Sequence, residues 1–173
     1  MAALILTVIG PDRPGIVRSL AQTVAAHGGS WLESKMGRLA GQFAGIVLVE
    51  APLSLLADLQ ALESEGLRIV VHQPGPLGET VSNAPSGERL AVEVVGNDRP
   101  GIVRDVARVL AEHGVNIEEL TTGVVSGSFS GETLFRATVF VRAPDAASVA
   151  AIRAGLEFLS NEMMVDIQPA GKP

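Results

Sequence analysis

The chain has 173 residues, of which 47% are hydrophobic and 18% charged, and this is the composition of a packed globular protein. Its formal net charge of −6, with scattered Lys and Arg, argues against a nucleic-acid-binding face. The sequence has no cysteine, which excludes thiol catalysis, disulfides and cysteine-ligated metal. No apolar run reaches the length of a membrane span, so we expect a soluble, cytoplasmic protein without cofactor, metal or membrane contact.

A long internal repeat organises the sequence. Residues 10–28 and 96–114 are identical at 12 of 19 aligned positions, and both segments end in His-Gly. A period of 86 residues is too long for a solenoid unit, so the repeat indicates two copies of one small domain. We expect domains at residues 1–73 and 88–169, joined by a Pro- and Gly-rich linker at residues 74–87.

The first copy has the predicted element order β-α-β-β-α-β. An apolar run at its start predicts a strand, and apolar residues at helical spacing predict a helix with Asp12 as N-cap, Pro14 in the first turn and Gly28 at its end. Two strands around a tight turn follow, and a leucine stripe after Pro52 predicts a second helix before a closing strand. The predicted strands are residues 4–9, 30–38, 42–50 and 67–72.

The second copy repeats this order. Asp98 is expected to cap its first helix, with Pro100 in the first turn and Gly114 at the end, and a second helix follows Pro144. The connection at 126–131 contains Gly-Ser-Phe-Ser-Gly, but it falls in a hairpin rather than between a strand and a helix, as a serine nucleophile elbow would require. The predicted strands are residues 90–95, 115–125, 133–142 and 163–167.

Each copy is therefore predicted to be a ferredoxin-like unit of the α+β class, an antiparallel sheet with two helices on one face. The helices leave the other sheet face uncovered, and the alternation of the first strand places Ile5 and Ile9 there. We expect the two copies to pack together, or the chain to dimerise, through the sheet side or edges.

The turn that opens the first helix of each copy is the candidate binding site. A helix N-terminus offers unpaired backbone N–H groups and a partial positive charge, so a carboxylate fits there. Gly15 and Gly101 would let a ligand approach the backbone. Asn116 starts the second strand of its copy, next to this turn, and its amide can both donate and accept. Capping alone also explains Asp12 and Asp98, so both interpretations stay open.

Other conspicuous residues have simpler interpretations. His27 and His113 repeat at a helix C-terminus, where a structural role is expected and no third group completes a metal site. Trp31 is expected to pack in a core or an interface. Arg13 and Arg99 could contact an anion or a partner, or be solvated beside the cap.

The segment Asp98-Arg99-Pro100-Gly101-Ile102, followed by Gly114-Val115-Asn116-Ile117, resembles the ACT domain, a family of small regulatory modules that often bind amino acids between paired copies. The first copy keeps the turn but has Ser30 where the second has Asn116. The resemblance implies ligand contacts from Asp98, Pro100, Gly101, Ile102 and Asn116 in the second copy and from Asp12, Gly15, Ile16 and Ser30 in the first.

A chain of two ACT domains and nothing else is similar to the regulatory proteins of the glycine cleavage system, which modulate a DNA-binding activator by contacting it. This resemblance implies a non-enzymatic homodimer that binds a small amino acid, such as glycine, and contacts a transcription factor rather than DNA. The alternatives are a regulatory subunit or accessory module of an amino-acid metabolic enzyme, or a purely structural dimerisation module. No catalytic residue is identified, because the three histidines are unclustered and no paired carboxylates lie in a recognisable pocket motif.

Overall fold

The structure is a computed structural model that describes residues 1–74, 87–126, 133–159 and 163–170. The chain divides into two compact units, Met1–Ala84 and Pro85–Pro173, here called unit 1 and unit 2. Most of the predicted linker, residues 75–86, lies outside the described residues, and so does the Gly-Ser-Phe-Ser-Gly segment.

Unit 1 has the element order that the repeat predicts. Its four strands form one antiparallel sheet in the order β2-β3-β1-β4, so β2 and β4 are the edges. A short 3₁₀ turn at Leu62–Glu65 extends the second helix. The elements are β1 (Ala2–Pro11), α1 (Ile16–Ala26), β2 (Ser30–Leu39), β3 (Gln42–Ala51), α2 (Leu55–Ala61) and β4 (Arg68–His72).

Unit 2 repeats this topology with the strand order β6-β7-β5-β8, again antiparallel throughout. Its second helix is twice as long as that of unit 1, 14 residues against 7. The elements are β5 (Glu88–Asn97), α3 (Ile102–Glu112), β6 (Asn116–Ser126), β7 (Thr133–Ala143), α4 (Ala146–Leu159) and β8 (Met164–Pro169).

Each unit has its own hydrophobic core between the sheet and its two helices. Alternate residues of the central strand face that core, Leu4, Leu6 and Val8 in unit 1, and all three are fully buried. In unit 2 the alternation predicted for β5 is confirmed, with Val92 and Val94 buried and Glu93 exposed on the other face. Burying one such aliphatic side chain contributes roughly 1.5–3 kcal/mol.

The turns predicted from glycine are confirmed. Gly28 and Gly114 follow α1 and α3 with φ of 69° and 66°, the left-handed conformation that ends a helix without a side-chain clash. The β2–β3 hairpin turns through Ala40 and Gly41, both at positive φ. None of the helices in the described ranges has both the length and the apolar character of a membrane-spanning helix.

Candidate functional site

The candidate site is the turn between the central strand and the first helix, residues 12–15 in unit 1 and 98–101 in unit 2. The hairpin tip anchors each turn, because the N–H of Asp12 donates to the carbonyl of Gly41 at 2.9 Å and the N–H of Asp98 to that of Thr133 at 2.9 Å. The helices begin at Ile16 and Ile102. Both turns therefore present a helix N-terminus beside a fixed backbone corner.

The expectation that Asp12 and Asp98 cap these helices is wrong. The N-cap residues are Gly15 and Gly101, in the left-handed conformation with φ of 95° and 84°, and no side chain caps either helix. The proline before each glycine explains the shift, because the residue preceding a proline avoids helical conformation, so the helix starts later. Pro14 and Pro100 consequently precede the helix instead of lying in its first turn.

Ion pairs close the turn of unit 1. The Asp12 carboxylate lies 2.7 Å from Nε of Arg38, near the tip of β2. The Arg13 guanidinium donates to the Glu65 carboxylate at 2.6 Å. The acidic group of this turn therefore already has a cationic partner from its own unit.

The corresponding carboxylate of unit 2 is exposed and, within the described residues, makes no hydrogen bond or ion pair. The position of Arg38 on β2 is taken by Val124 on β6, so Asp98 has no cation from the strand tip. Its neighbour Arg99 instead donates to Asp105, on the first turn of α3, at 2.8 Å. Within the described residues, the turn of unit 2 thus holds a carboxylate without a cationic partner at a helix N-terminus.

A second arginine lies over the unit 2 turn. The Arg104 guanidinium binds Asp105 at 2.9 Å, and a Cβ placed on Gly101 would lie 3.0 Å from Nη2 of Arg104. Hydrogen bonds from Arg99 and then from Arg104 hold the pKa of Asp105 below its ordinary value. Arg104 is consequently the side chain that any ligand reaching the Gly101 backbone would meet.

The backbone donors expected at this turn are only partly available. Pro100 has no N–H, and the N–H of Ile102 donates to the carbonyl of Arg99 at 3.4 Å, a long bond. The Gly101 N–H remains as a possible donor to a ligand. The Gly101 carbonyl accepts a hydrogen bond from the N–H of Asp105 at 3.0 Å. The unit 1 turn is built alike, with Gly15 accepting from Ser19 and Ile16 buried in the core.

Asn116 does not lie next to the turn of its own unit, contrary to expectation. It is paired with Arg142, which is paired with Arg89 at the start of β5, whereas the turn follows Asn97 at the other end of that strand. About eight strand residues separate the two ends, which is about 26 Å. Ser30 is displaced from the unit 1 turn in the same way. The cause is α3, which runs back along the sheet, so that β6 begins at the end where β5 begins.

A small apolar depression with an accessible volume of about 10 Å³, room for about one water molecule, lies between α3 and the β6–β7 strands. It begins at Val103, in the first turn of α3, but its lining includes none of the predicted site residues. In unit 1 the position of its Ile117 is taken by Trp31, which packs against the core there as the sequence predicts. The lining residues are Val103, Val106, Ala107, Ile117, Leu120, Phe135, Ala137 and Val139.

The sequence does not predict a cluster of charged side chains on the unit 2 sheet. Nε of Arg142 donates to Glu118 at 2.7 Å and Nε of Arg89 donates to its other oxygen at 3.1 Å, with all three side chains largely buried. The hydrogen bond from Arg142, more than that from Arg89, lowers the pKa of Glu118 against the opposing effect of burial. Nothing in the local sequence joins these residues, because strand pairing and a β-bulge bring them together.

The two repeated histidines, His27 and His113, differ in their surroundings. His27 lies between Ser54 and Asp58, with 2.8 Å from Nε2 to the Asp58 carboxylate, so it links α1 to α2 as a structural residue. His113 faces α4 near Gly155. Across the described residues, no three His, Asp or Glu side chains cluster in a way that could hold a metal.

Comparisons with known proteins place this geometry in a family context. A family model described as ACT domain matches residues 2–71 and 88–169. A UPF0237 protein of Methanopyrus kandleri is 38% identical over 80 residues, which cover 46% of this chain and 82% of that protein. The glycine cleavage system transcriptional repressor of Escherichia coli is 22% identical over 163 residues, 92% of this chain and 85% of its own.

Among solved structures, an unknown protein from Galdieria sulphuraria has the same two-unit fold. It is 29% identical to this chain with a TM-score of 0.80, and the match covers 98% of this chain and 99% of that one. The likeness therefore extends over both units and not over one repeat alone.

Proposed function

The chain belongs to the ACT domain family, and from that premise we propose that it is a non-enzymatic regulator that binds a small amino acid, such as glycine, at the unit 2 turn. Similarity to a transcriptional repressor along 92% of the chain supports the regulatory role. The regulator would act by contacting a DNA-binding transcription factor, since a net charge of −6 disfavours direct DNA contact.

The observation that carries this proposal is the Asp98 carboxylate, which has no partner in the described part of the chain, while its counterpart Asp12 is paired with Arg38 at 2.7 Å. An exposed carboxylate at a helix N-terminus can accept a hydrogen bond from the ammonium group of an amino acid. The N-terminus of α3 and the neighbouring Arg104 supply positive charge for the ligand carboxylate.

Asn116 does not contribute to the site of its own unit, because strand pairing places it at the far end of that sheet. Only the Asn116 of a different ACT unit could reach the turn. The site of one unit accordingly consists of Asp98, the N–H of Gly101 and the first turn of α3. Asp12, Gly15 and Ile16 form the same backbone corner in unit 1. There Arg38 forms an ion pair with the Asp12 carboxylate.

Calorimetric titration of the full chain with a panel of amino acids tests the proposal. Asp98→Asn should weaken binding by about tenfold or more, since a hydrogen bond to a charged group contributes roughly 1.5–3 kcal/mol. Asp12→Asn is the matched control and should leave affinity within about twofold. Equal losses in both variants, or no binding by the parent chain to any amino acid, would overturn the assignment.

A further inference from the structure

An open groove lies in unit 2 between α4 and the strands β5 and β8, at the end of the sheet that is farthest from the turn. Its volume is about 500 Å³, within the range of small-molecule sites in proteins. Buried Leu90 and Ile167 belong to its lining, and Leu90 lies about 23 Å along β5 from Asn97, which precedes the turn. The groove, here called the α4 groove, is therefore separate from the site proposed at Asp98.

One side of α4 forms a wall of the α4 groove. Val149, Arg153 and Glu157 line it and recur at intervals of four residues, so they lie on the same side of the helix. Ala150 and Ala154 also line it, and their short side chains leave space beside Arg153. The groove therefore combines an aliphatic surface with charged groups that one helix holds in place.

Arg153 is the residue that points to a ligand in the α4 groove. Its side chain is half-buried, and it makes no hydrogen bond or ion pair with any residue that the structure describes. Every other half-buried arginine in the described ranges forms an ion pair with a carboxylate. A partly desolvated cation is stabilised by an anionic partner, so Arg153 calls for a carboxylate that the chain itself does not supply. The paired arginines are Arg13, Arg89, Arg99 and Arg142.

Two exposed carboxylates limit the charge of the ligand. Glu88 and Glu157 also line the α4 groove, and Glu157 is one helical turn from Arg153 without pairing with it. Exposed carboxylates are solvated and screened, so they tolerate one anionic group bound to the arginine. A ligand with two or more negative charges, such as a phosphate ester, would be repelled by both.

We propose that the α4 groove binds an aliphatic monocarboxylate, with its carboxylate on the Arg153 guanidinium and its hydrocarbon chain over Leu90 and Ile167. A planar guanidinium binds a carboxylate through two parallel hydrogen bonds. The ligand needs no ammonium group, which distinguishes it from the amino acid proposed at Asp98. Unit 2 then has a second ligand site, and this site does not depend on binding at the turn.

Titration of the full chain with hexanoate, followed by the amide signals in NMR spectra, tests the proposal. The amides of Leu90 and Arg153 should shift, and that of Gly101 should not. Uncharged hexanamide should bind about tenfold or more weakly, because it lacks the charge that Arg153 recognises. Lengthening the ligand from butanoate to hexanoate should tighten binding by up to about fourfold for each CH₂ group that becomes buried.

Matched variants test the role of Arg153. Arg153→Gln should raise the hexanoate dissociation constant by about tenfold or more. Arg108→Gln removes an exposed arginine, paired with Glu112, from the other helix of unit 2 and should keep affinity within about twofold. Glu157→Gln should bind hexanoate at least as well as the parent chain, and Asp98→Asn equally well. Circular dichroism checks that the variants fold.

Four results would each overturn the proposal. They are an absence of amide shifts at about 10 mM hexanoate, hexanamide that binds as tightly as hexanoate, equal losses of affinity in Arg153→Gln and Arg108→Gln, and a loss of hexanoate affinity in Asp98→Asn. The last result would place hexanoate at the turn, whereas failure of amino-acid binding at Asp98 would leave the α4 groove untouched.

Discussion

Two units with one topology differ in how they pair the charged groups at the turn and on the sheet. Unit 1 closes its turn with the Asp12–Arg38 and Arg13–Glu65 ion pairs, and Ile9, Ile46 and Val70 are exposed on its helix-free sheet face. Among the described residues, unit 2 leaves the turn carboxylate unpaired and places the Arg89–Glu118–Arg142 cluster on part of its sheet face, with Arg89 over the Phe140 ring. The repeated motif fixes the backbone corner in both, but residues far away in sequence decide whether that corner has a free acidic group.

The largest difference between the units is expected from Gly101→Val. Both N-cap glycines have positive φ, so a β-branched residue costs at least about 1–2 kcal/mol of stability in either unit. Only in unit 2 does the new side chain meet Arg104 and cover the proposed ligand site, so amino-acid affinity should fall by about tenfold or more. Gly15→Val is the control, because a Cβ placed on Gly15 would have no neighbouring side chain within 4 Å.

Urea melts and calorimetric titration of both glycine variants separate the two effects. Similar losses of stability with affinity lost only in Gly101→Val support the comparison. Equal affinity losses in the two variants would show that the unit 1 turn also binds the ligand.

Acid should destabilise unit 2 through Glu118. Because its pKa in the folded chain lies below the ordinary 4.5, its stabilising effect is fully present above about pH 4.5 and is lost as the pH falls through the folded value. Unit 1 has Leu32 at that position and lacks this contribution. Glu118→Gln should lower stability at pH 7 and flatten the decline of stability below about pH 4.5.

Chemical denaturation at a series of pH values measures this slope for the parent chain and for Glu118→Gln. An unchanged slope in the variant would mean that the Arg89–Glu118–Arg142 cluster does not couple protonation to folding.

The smallest effect is expected from Asn116→Ala. The side chain lies about 26 Å from the turn of its own unit, beyond the reach of a direct contact, so affinity should change by less than about twofold. Calorimetric titration measures the affinity of Asn116→Ala together with that of Asp98→Asn. A tenfold loss would show that a different ACT unit supplies Asn116 to the site.

The sequence predicts the fold well because its evidence is local and repeated. Apolar alternation locates β1 and β5, helical spacing locates α1 and α3, and Gly28 and Gly114 mark their ends. The capping role of Asp12 and Asp98 is wrong because the preference of a residue before proline outweighs the capping preference of an aspartate.

The composition of the site depends on pairings that no local pattern contains. Arg38 reaches Asp12 across a hairpin, and Arg142 reaches Glu118 through a bulged edge strand. Asn116 is close to the helix end in sequence, but the return path of α3 puts it at the far end of the sheet. Strand register, rather than residue type, decides each of these contacts.

The number of ligand sites per chain tests the central difference most directly. Calorimetric titration with the amino acid that binds should give one site per chain, because Arg38 already pairs with the Asp12 carboxylate of unit 1. Removing that cation in Arg38→Ala should free Asp12 and raise the number toward two. Two equivalent sites in the parent chain, or one site that survives Asp98→Asn, would contradict the account.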